Sequence, residues 1–315
     1  MAKRIVVVGS INLDLVAATE RIPRAGETVS GLNFQTFPGG KGANQAVAAA
    51  RLDGVVSMIG RVGTDAFGEQ LLRSLRESTV DTEAVETVPG SSGLAMITTD
   101  AAGQNAITVI PGANATLSPA DLDRNKGLIR SAGILLTQLE IPPETVEHLA
   151  AIALREHIPL ILDPAPARFL PPSLLKSVEW LTPNETETGS LLGHGPQELS
   201  EDMLEDAAEA LLRSGSRNVI LKLGDRGCYV ALADGTRQLL PAFSVKAIDT
   251  TAAGDAFNGA LAVALMNGQD VVESASWASA VAAISVTRAG AQPSMPTAVE
   301  VDRFLDESRS AKSSR

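Results

Sequence analysis

The run Ile5-Val-Val-Val8 decides the fold class, because four successive apolar residues with no polar partner predict a strand buried on both faces. Similar short apolar runs occupy residues 55–59, 134–136, 160–162 and 219–223. Helix-like stretches alternate with them at residues 43–52, 67–77, 143–156 and 201–214. This alternation predicts an α/β fold in three layers, with a parallel sheet between helices. Two alanine-rich stretches, residues 255–267 and 271–286, predict buried helices near the end of the chain.

Two stretches interrupt this alternation. Residues 13–37 are polar and β-prone, and residues 93–110 have a hairpin pattern around the turn Asp100-Ala-Ala-Gly103. Together they predict a small second sheet, which could be a lid or a plain edge extension. The polar residues 308–315 predict a flexible tail.

Composition restricts the possible functions. The chain has 315 residues, 44% of them hydrophobic, which suffices for one large domain with a small appendage. A net charge of -11 argues against nucleic acid or an anionic membrane as the main partner. A single cysteine, Cys228, excludes an internal disulfide and a multi-thiolate zinc site. With no signal peptide or membrane span evident, we expect a cytoplasmic protein.

The strongest chemical signal is Asp249-Thr-Thr-Ala-Ala-Gly-Asp255, directly before an apolar helix. Small residues allow the backbone to approach a ligand, and a helix start offers unpaired N–H groups to phosphate. Asp255 would then lie beside a phosphate site, where a carboxylate can take a proton from an attacking hydroxyl. An ordinary loop followed by a first-turn aspartate is the alternative for this motif taken alone.

A second motif, Phe37-Pro-Gly-Gly-Lys-Gly-Ala-Asn44, opens the first predicted helix. It is not a P-loop, because no Gly stands five residues before Gly40 and Gly42 follows Lys41 in place of Ser or Thr. Its glycines permit close backbone approach to a small polar ligand, to which Lys41 and Asn44 could donate hydrogen bonds. A loop that only caps the helix is equally open.

Three further motifs contain polar residues that could bind a ligand. Gly9-Ser-Ile-Asn-Leu-Asp14 puts an amide and a carboxylate two residues apart, as a polyhydroxyl ligand requires, although turn chemistry also explains it. Thr182-Pro-Asn-Glu-Thr-Glu187 predicts a capping box with Asn184 as the cap, and its carboxylate could also hold the water shell of magnesium. Lys222-Leu-Gly-Asp-Arg-Gly227 is either a hairpin or a nucleotide loop.

In this order, the motifs resemble the ribokinase (PfkB-type) sugar kinase family. The resemblance spans most of the chain and includes Ile59-Gly-Arg-Val-Gly63, Asp65-Ala-Phe-Gly68 and Val286-Thr-Arg-Ala-Gly-Ala-Gln-Pro-Ser294. It implies a ribokinase-like fold with a small β-sheet lid. The main domain would comprise residues 1–12, 38–92 and 111–307, and the lid residues 13–37 and 93–110.

The resemblance also implies roles for individual residues. Asp255 matches the catalytic base, beside an anion hole formed by the backbone of Ala252, Ala253 and Gly254. The matching sugar-binding positions are Asn12, Asp14, Gly40, Lys41, Gly42, Ala43, Asn44 and Glu140. The matching nucleotide-binding positions are Asn184, Lys222, Leu223, Gly224, Asp225, Arg226, Gly227 and Ser279. Glu187 matches a position linked to magnesium. A monovalent-cation site, largely of main-chain oxygens, matches Asp249, Thr251, Ser285, Arg288, Gly290 and Ser294.

The implied reaction is transfer of the γ-phosphoryl group of ATP, with Mg²⁺ and an activating K⁺, to the 5-hydroxyl of D-ribose. The resemblance further implies a homodimer that pairs lid to lid. Deoxyribose, fructose or a nucleoside as the acceptor stays open, as does a non-catalytic sugar-binding protein on the same fold. A dehydrogenase is disfavoured because no Gly-x-Gly-x-x-Gly follows the first strand. Three residues depart from the family pattern. Ala252 and Asp53 stand where the wider family usually has Gly, and Ser279 stands where family members can have a ring side chain near adenine.

Overall fold

The computed structural model describes residues 4–195 and 197–313. Its strands are β1 Arg4–Val8, β2 Asn12–Thr19, β3 Gly31–Gly39, β4 Val56–Gly63, β5 Val85–Val88, β6 Gly93–Thr99, β7 Asn105–Ile110, β8 Ala132–Thr137, β9 Leu160–Leu162, β10 Trp180–Leu181, β11 Asn218–Lys222, β12 Cys228–Ala231 and β13 Arg237–Leu240. Its α-helices are α1 Lys41–Arg51, α2 Ala66–Glu77, α3 Pro119–Arg124, α4 Lys126–Arg130, α5 Pro143–Glu156, α6 Pro172–Leu175, α7 Glu185–Leu191, α8 Glu201–Arg213, α9 Ala253–Met266, α10 Val271–Ser285 and α11 Ala298–Ser313.

The larger sheet has nine strands in the order β13-β12-β11-β10-β9-β8-β1-β4-β5. The strands from β11 to β5 are parallel, and β12 and β13 add an antiparallel edge. Side chains of β1 alternate between two separate hydrophobic clusters, with Val7 in one and Val8 in the other. The cluster around Val7 packs under α1, α9 and α10, and the cluster around Val8 packs under α5 and α8. The predicted three-layer α/β architecture is therefore confirmed.

The second sheet has four strands in the order β3-β2-β6-β7. Its central pair, β2 and β6, is parallel, and the two outer pairs are antiparallel. The predicted hairpin is present, since β6 and β7 pair from Leu94 opposite Ile110 to Thr99 opposite Asn105. Both interrupting stretches thus enter one small sheet outside the main one, as the sequence predicts.

Several element bounds differ from the sequence prediction. The strand predicted at residues 55–59 continues to Gly63, because its second half pairs with β5. Strands β5, β10, β12 and β13, each two to four residues long, were not predicted. Residues 308–313 of the predicted flexible tail continue helix α11, and residues 314 and 315 lie outside the described residues; the flexibility of this segment stays a prediction.

Candidate active site

The carboxylate of Asp255 lies in the first turn of α9 and is almost fully buried. Two amides of α1 hold it: Asn44 Nδ2 donates to Oδ2 at 2.9 Å, and Gln45 Nε2 donates to Oδ1 at 3.1 Å. Burial raises the pKa of Asp255 to about 6, although Lys41 and the two amides act in the opposite direction. A carboxylate with this pKa is a competent base near neutral pH.

The start of α9 is an anion site formed by the backbone. Ala252 precedes the helix at φ 61°, in the left-handed region, and no side chain caps the helix. Ala253 N donates to Thr250 O, so it is not free, in contrast to its predicted place in the anion hole. Among the described residues, no acceptor lies within hydrogen-bond reach of the N–H groups of Gly254 and Asp255. These two groups can bind a phosphate oxygen beside the carboxylate.

The amide network extends from Asp255 to a second buried carboxylate. Gln45 Nε2 also donates to Asp163 Oδ2 at 3.0 Å, and Lys222 Nζ donates to Asp163 Oδ1 at 2.9 Å. Gln138 Nε2 fixes the other end of the Gln45 amide through a 2.7 Å bond to Oε1. The side chains at the ends of β8, β9 and β11 are thus joined to the base on α9.

A cluster of buried polar side chains, the polar cluster, lies where β1 leaves the main sheet and β2 enters the small one. Asn12 and Asp14 share one face of β2, as predicted, since strand residues two apart point the same way. The Asn12 amide is oriented by Asn114, whose Nδ2 donates to Asn12 Oδ1 at 2.7 Å. Burial, together with the charges of Glu140 and Asp255, raises the pKa of Asp14 to about 7. Among the described residues, no group donates a hydrogen bond to the Asp14 carboxylate, so it can accept one from a ligand hydroxyl.

The glycine motif packs directly against this cluster, because its backbone lies against β1 and β2. A Cβ on Gly40 would lie 2.6 Å from Asn12 N, and one on Gly42 would lie 2.7 Å from Gly9 C. Gly40 also has φ 87°, which favours glycine. Ala43 N donates to Ser10 O at 2.9 Å, so Gly42 and Ala43 support the polar cluster through their backbone.

Lys41 and Glu140 lie at the same edge. The backbone N of Lys41 donates to Glu140 Oε2 at 3.2 Å, and Ser10 Oγ donates to the same oxygen at 2.6 Å. Burial lowers the pKa of the Lys41 ammonium, but nearby carboxylates, chiefly Asp255 and Asp163, outweigh it and raise the pKa overall. Lys41 is therefore a fixed positive charge near the base.

A cavity of about 740 Å³ is lined in part by Asp255. Its lining includes the predicted nucleotide-binding residues Asn184, Lys222, Gly224, Asp225, Gly227 and Ser279, with Glu187. Leu223 and Arg226 do not line it: Leu223 is buried, and the Arg226 guanidinium pairs with Glu185 at 2.5 Å. The loop between β11 and β12 is a hairpin and also a wall of this cavity, so the hairpin does not exclude a nucleotide loop, which stays a prediction.

Glu187 fits an indirect role towards magnesium. The predicted capping box is present, with Asn184 N donating to Glu187 Oε2 at 2.7 Å and Glu187 N donating to Asn184 Oδ1 at 2.8 Å. Among residues 4–195 and 197–313, no group of three or more His, Cys, Asp or Glu side chains could hold a metal. One carboxylate beside a nucleotide cavity suits Mg²⁺ that keeps several waters and binds phosphate.

The residues matched to a monovalent-cation site converge in part. The Asp249 carboxylate joins two segments, because it accepts from Thr251 N at 2.9 Å and from Gly290 N at 2.8 Å. Burial would raise the pKa of Asp249, but these hydrogen bonds outweigh it and lower the pKa, so the group is ionised. The Arg288 side chain pairs with Glu300 at 2.6 Å, and the Ser285 and Ser294 hydroxyls donate to nearby carbonyls, so these side chains have partners within the protein. The backbone oxygen of Ser285 accepts from Arg288 N at 3.2 Å.

Sequence reasoning missed five residues of the site. They are Ser10, Gln45, Asn114, Gln138 and Asp163. Asp163 directly follows the strand predicted at residues 160–162, and Gln138 lies two residues after the strand predicted at residues 134–136, which is the signal that could have revealed them. Asn114 carried no such signal, because it reaches Asn12 from a turn about a hundred residues along the chain.

Comparison with known proteins identifies the family. The family described as pfkB family carbohydrate kinase matches residues 2–298. The chain belongs to this family. It is 41% identical to a ribokinase of Bacillus subtilis, over 96% of this chain and 99% of that protein. It is 39% identical to a deoxyribokinase of Salmonella typhimurium, over 96% of this chain and 98% of that protein.

The fold agrees with that of solved family members. The structure of Arabidopsis thaliana ribokinase complexed with ribose and ATP superposes with a TM-score of 0.88 at 34% identity, covering 97% of this chain and 99% of that one. As an enzyme family, these proteins transfer a phosphoryl group to a carbohydrate hydroxyl. No helix among the described residues is long and apolar enough to cross a membrane.

Proposed function

We propose that this chain is a ribokinase, which transfers the γ-phosphoryl group of ATP to O5 of D-ribose. One observation carries the proposal: the Asp255 carboxylate is held by Asn44, lines a large cavity, and lies beside two N–H groups that lack acceptors among the described residues. A base and an anion site that share one helix turn suit in-line phosphoryl transfer. Full-length similarity to a ribokinase, and to a structure described with ribose and ATP, supports ribose and ATP as the substrates.

In the proposed reaction, the sugar hydroxyl loses its proton to Asp255 Oδ as its oxygen attacks the γ-phosphorus. The N–H groups of Gly254 and Asp255 stabilise the negative charge on the phosphoryl oxygens, which is usually the largest catalytic contribution. Mg²⁺, bound with the nucleotide near Glu187, would neutralise further phosphate charge. A bound K⁺ would order the segment that Asp249 anchors, directly before the anion site.

Asn12 supports ribose over deoxyribose as the acceptor. Its amide is buried and oriented by Asn114, so a sugar without the 2-hydroxyl would leave its remaining hydrogen-bonding groups unpaired. The similarity to a deoxyribokinase keeps deoxyribose as the second candidate. A non-catalytic sugar-binding role is disfavoured, because the base, the anion site and the capping box at Asn184 are all intact.

The small sheet supports a lid that also forms the dimer interface. Five large apolar side chains on it are between 47% and 65% exposed: Leu32, Phe34, Met96, Ile107 and Val109. Such an apolar surface on a small sheet is typical of a protein interface. We therefore include lid-to-lid homodimerisation in the proposal. A cytoplasmic location and the absence of nucleic acid partners stay predictions from the sequence.

A coupled ADP-release assay tests the proposed function. Ribose, deoxyribose, fructose and a nucleoside are compared with MgATP, with and without K⁺. We expect the highest kcat/KM for ribose and a higher rate with K⁺ than without it. A preference for deoxyribose or fructose would change the substrate assignment, and ribose binding without ADP release would establish the non-catalytic alternative.

A further inference from the structure

Lys222 presents unused hydrogen-bond donors to the large cavity. Its ammonium donates to Asp163 Oδ1, while among the described residues nothing accepts from its other two N–H bonds. The side chain is only 12% exposed. An ammonium has three donors, and leaving two without partners in a buried place is costly unless a ligand supplies acceptors.

The same ammonium lies beside the anion site of α9. A Cβ added to Gly254 would be 3.2 Å from Lys222 Nζ, so the charge faces the turn whose N–H groups are free. Lys222 is the last residue of β11, which fixes its backbone at the edge of the sheet above the cavity. A phosphoryl group bound to the N–H groups of Gly254 and Asp255 would therefore lie within reach of the ammonium.

Asp163 determines where the ammonium points. Asp163 is buried and is itself held by Gln45, whose amide nitrogen also bonds to Asp255. One amide therefore sets the separation between the base and the partner of the cation. This arrangement fixes the charge relative to Asp255 before any substrate binds, and preorganised charge of this kind stabilises transition states.

We propose that Lys222 is a catalytic residue that binds the phosphoryl group under transfer, and that Asp163 is its positioning residue. The inference deepens the proposed kinase function and rests on it. In the transfer, the bond from the sugar oxygen to phosphorus forms, the bond from phosphorus to the β–γ bridging oxygen breaks, and the hydroxyl proton passes to Asp255. Lys222 stays protonated throughout and donates two hydrogen bonds to non-bridging phosphoryl oxygens.

The first test replaces Lys222 by Met, which keeps the length of the side chain and removes its charge. We expect kcat for ribose to fall about a hundredfold, as when one oxyanion donor is lost, with the dissociation constant of ribose unchanged. Lys126→Met is the matched control, because Lys126 also pairs with an aspartate, Asp123, at 3.1 Å but is exposed and does not line the cavity. A Lys222→Met variant with the kcat of the control overturns the proposal.

A double variant separates contact with phosphate from simple neutralisation of Asp163. Lys222→Met leaves the Asp163 carboxylate buried without a cationic partner. The double variant Lys222→Met with Asp163→Asn removes the charge of Asp163 as well. If Lys222 contacts the phosphoryl group, the double variant stays about as slow as the single one. Recovery of the wild-type kcat in the double variant would show that Lys222 only neutralises Asp163.

The positioning role of Asp163 has its own readout. The charge of Asp163 raises the pKa of Asp255. Asp163→Asn should therefore shift the acid limb of the pH profile of kcat/KM to lower pH, and it should also reduce kcat. A role limited to stability would reduce the amount of folded enzyme and leave the limb in place. An unshifted limb with unchanged kcat therefore overturns the assignment of Asp163.

Nucleotide binding tests Lys222 without relying on sugar turnover. By calorimetry with Mg²⁺, Lys222→Met should weaken a non-hydrolysable ATP analogue about tenfold or more and leave ADP almost unchanged, since only the analogue has the transferring group. If Lys222→Met binds both the analogue and ADP as tightly as the wild type does, the proposal is overturned. If the wild type phosphorylates none of the sugars, the proposed function fails, while this measurement still decides the role of Lys222.

Discussion

At the scale of single residues, the site depends on buried carboxylates whose partners set their protonation. Asp255 and Asp14 both have raised pKa values, near 6 and 7, and burial is the main cause for each. The charges of Glu140 and Asp255 raise the pKa of Asp14 further, whereas the charge of Lys41 lowers the pKa of Asp255. Both carboxyl groups therefore change their protonation close to the pH at which a general base acts.

Replacement of Asp255 by Asn tests its role as the base. The amide keeps the size and several contacts of the carboxylate but cannot accept the hydroxyl proton. We expect kcat to fall about a hundredfold or more, with ribose still bound, measured by ADP release and by calorimetry. A near-normal kcat in this variant would remove Asp255 from the mechanism.

The pH dependence follows from the same pKa values. Protonated Asp255 cannot take a proton, and protonated Asp14 becomes a weaker acceptor towards the sugar. Activity is therefore present above these pKa values and lost as the pH falls. We expect kcat/KM for ribose to decline below about pH 7 and more steeply below about pH 6. A profile that stays flat down to pH 5 would contradict the raised pKa values.

Asn12 is expected to determine the preference for a 2-hydroxyl. Asn12→Leu removes the amide that Asn114 orients and leaves an apolar side chain of similar size. We expect kcat/KM for ribose to fall about a hundredfold or more, since a lost hydrogen-bonding group in a built site discriminates strongly, and kcat/KM for deoxyribose to change much less. A parallel loss for both sugars would indicate damage to the polar cluster in place of lost specificity.

Two departures from the family pattern have a structural explanation at this scale. Ala252 and Asp53 both have positive φ, at 61° and 63°, where glycine has no steric penalty. For Ala252 the left-handed conformation costs about 1–2 kcal/mol, and it is retained at the residue that opens the anion site. Asp tolerates this region better than most residues, so Asp53 at the end of α1 costs less.

At the scale of elements, α2 is attached to the start of the lid strand β6. Asp65 caps α2 by accepting from Gly68 N at 2.9 Å, and it also accepts from Ser92 N at 2.8 Å and Ser92 Oγ at 2.7 Å. Ser92 directly precedes β6, and its hydroxyl also accepts from Gly63 N. One carboxylate therefore holds the helix, the end of β4 and the entry to the lid together.

Asp65→Ala should reduce the free energy of unfolding by more than the loss of a helix cap alone would. We expect the free energy of unfolding to fall by about 2 kcal/mol and the KM for ribose to rise, because the entry to the lid is released. Asp270→Ala is the matched control: Asp270 caps α10 through Val272 N at 2.8 Å but holds no second element, so about 1 kcal/mol is expected there. Equal losses in denaturant unfolding would show that the contacts to Ser92 contribute nothing.

At the scale of the whole molecule, the small sheet has an unusually apolar surface. By strand register, Phe34 and Met96 lie on the face opposite Asp14, whereas Ile107 and Val109 lie on the same face as Asp14. A thin sheet that is apolar on both faces gains stability when a second copy covers it. This arrangement supports an interface in which each lid packs against the other.

The combined variant Phe34→Asp with Ile107→Asp tests that interface. We expect it to be monomeric by light scattering at concentrations where the wild type is a dimer, because a charge must lose its hydration in a packed interface. Leu154→Asp is the control, since Leu154 on α5 is 56% exposed and lies outside the small sheet. A monomeric wild type at the same concentration would remove the dimer from the proposal.

The sequence by itself determined the layers and the chemistry of the main motifs. Short apolar runs that alternate with amphipathic helices fix a three-layer sheet, because each strand must bury both faces. The residue types around Asp255, Asn12 and Asn184 are local patterns, so the sequence indicated them as candidates. It also predicted the capping box of α7, which the structure confirms. The short strands and the helical end of the chain escaped prediction, since their pairing and packing partners are distant in sequence.

Only the tertiary structure decided how those motifs combine around Asp255. The bonds from Asn44 and Gln45 to Asp255 join residues more than two hundred positions apart, and the bond from Lys222 to Asp163 spans 59. No periodicity or spacing encodes such pairs, because they arise where strand ends and helix starts meet at one edge of the sheet. The raised pKa of the base and the orientation of the Lys222 ammonium are consequences of that convergence and of the burial it produces.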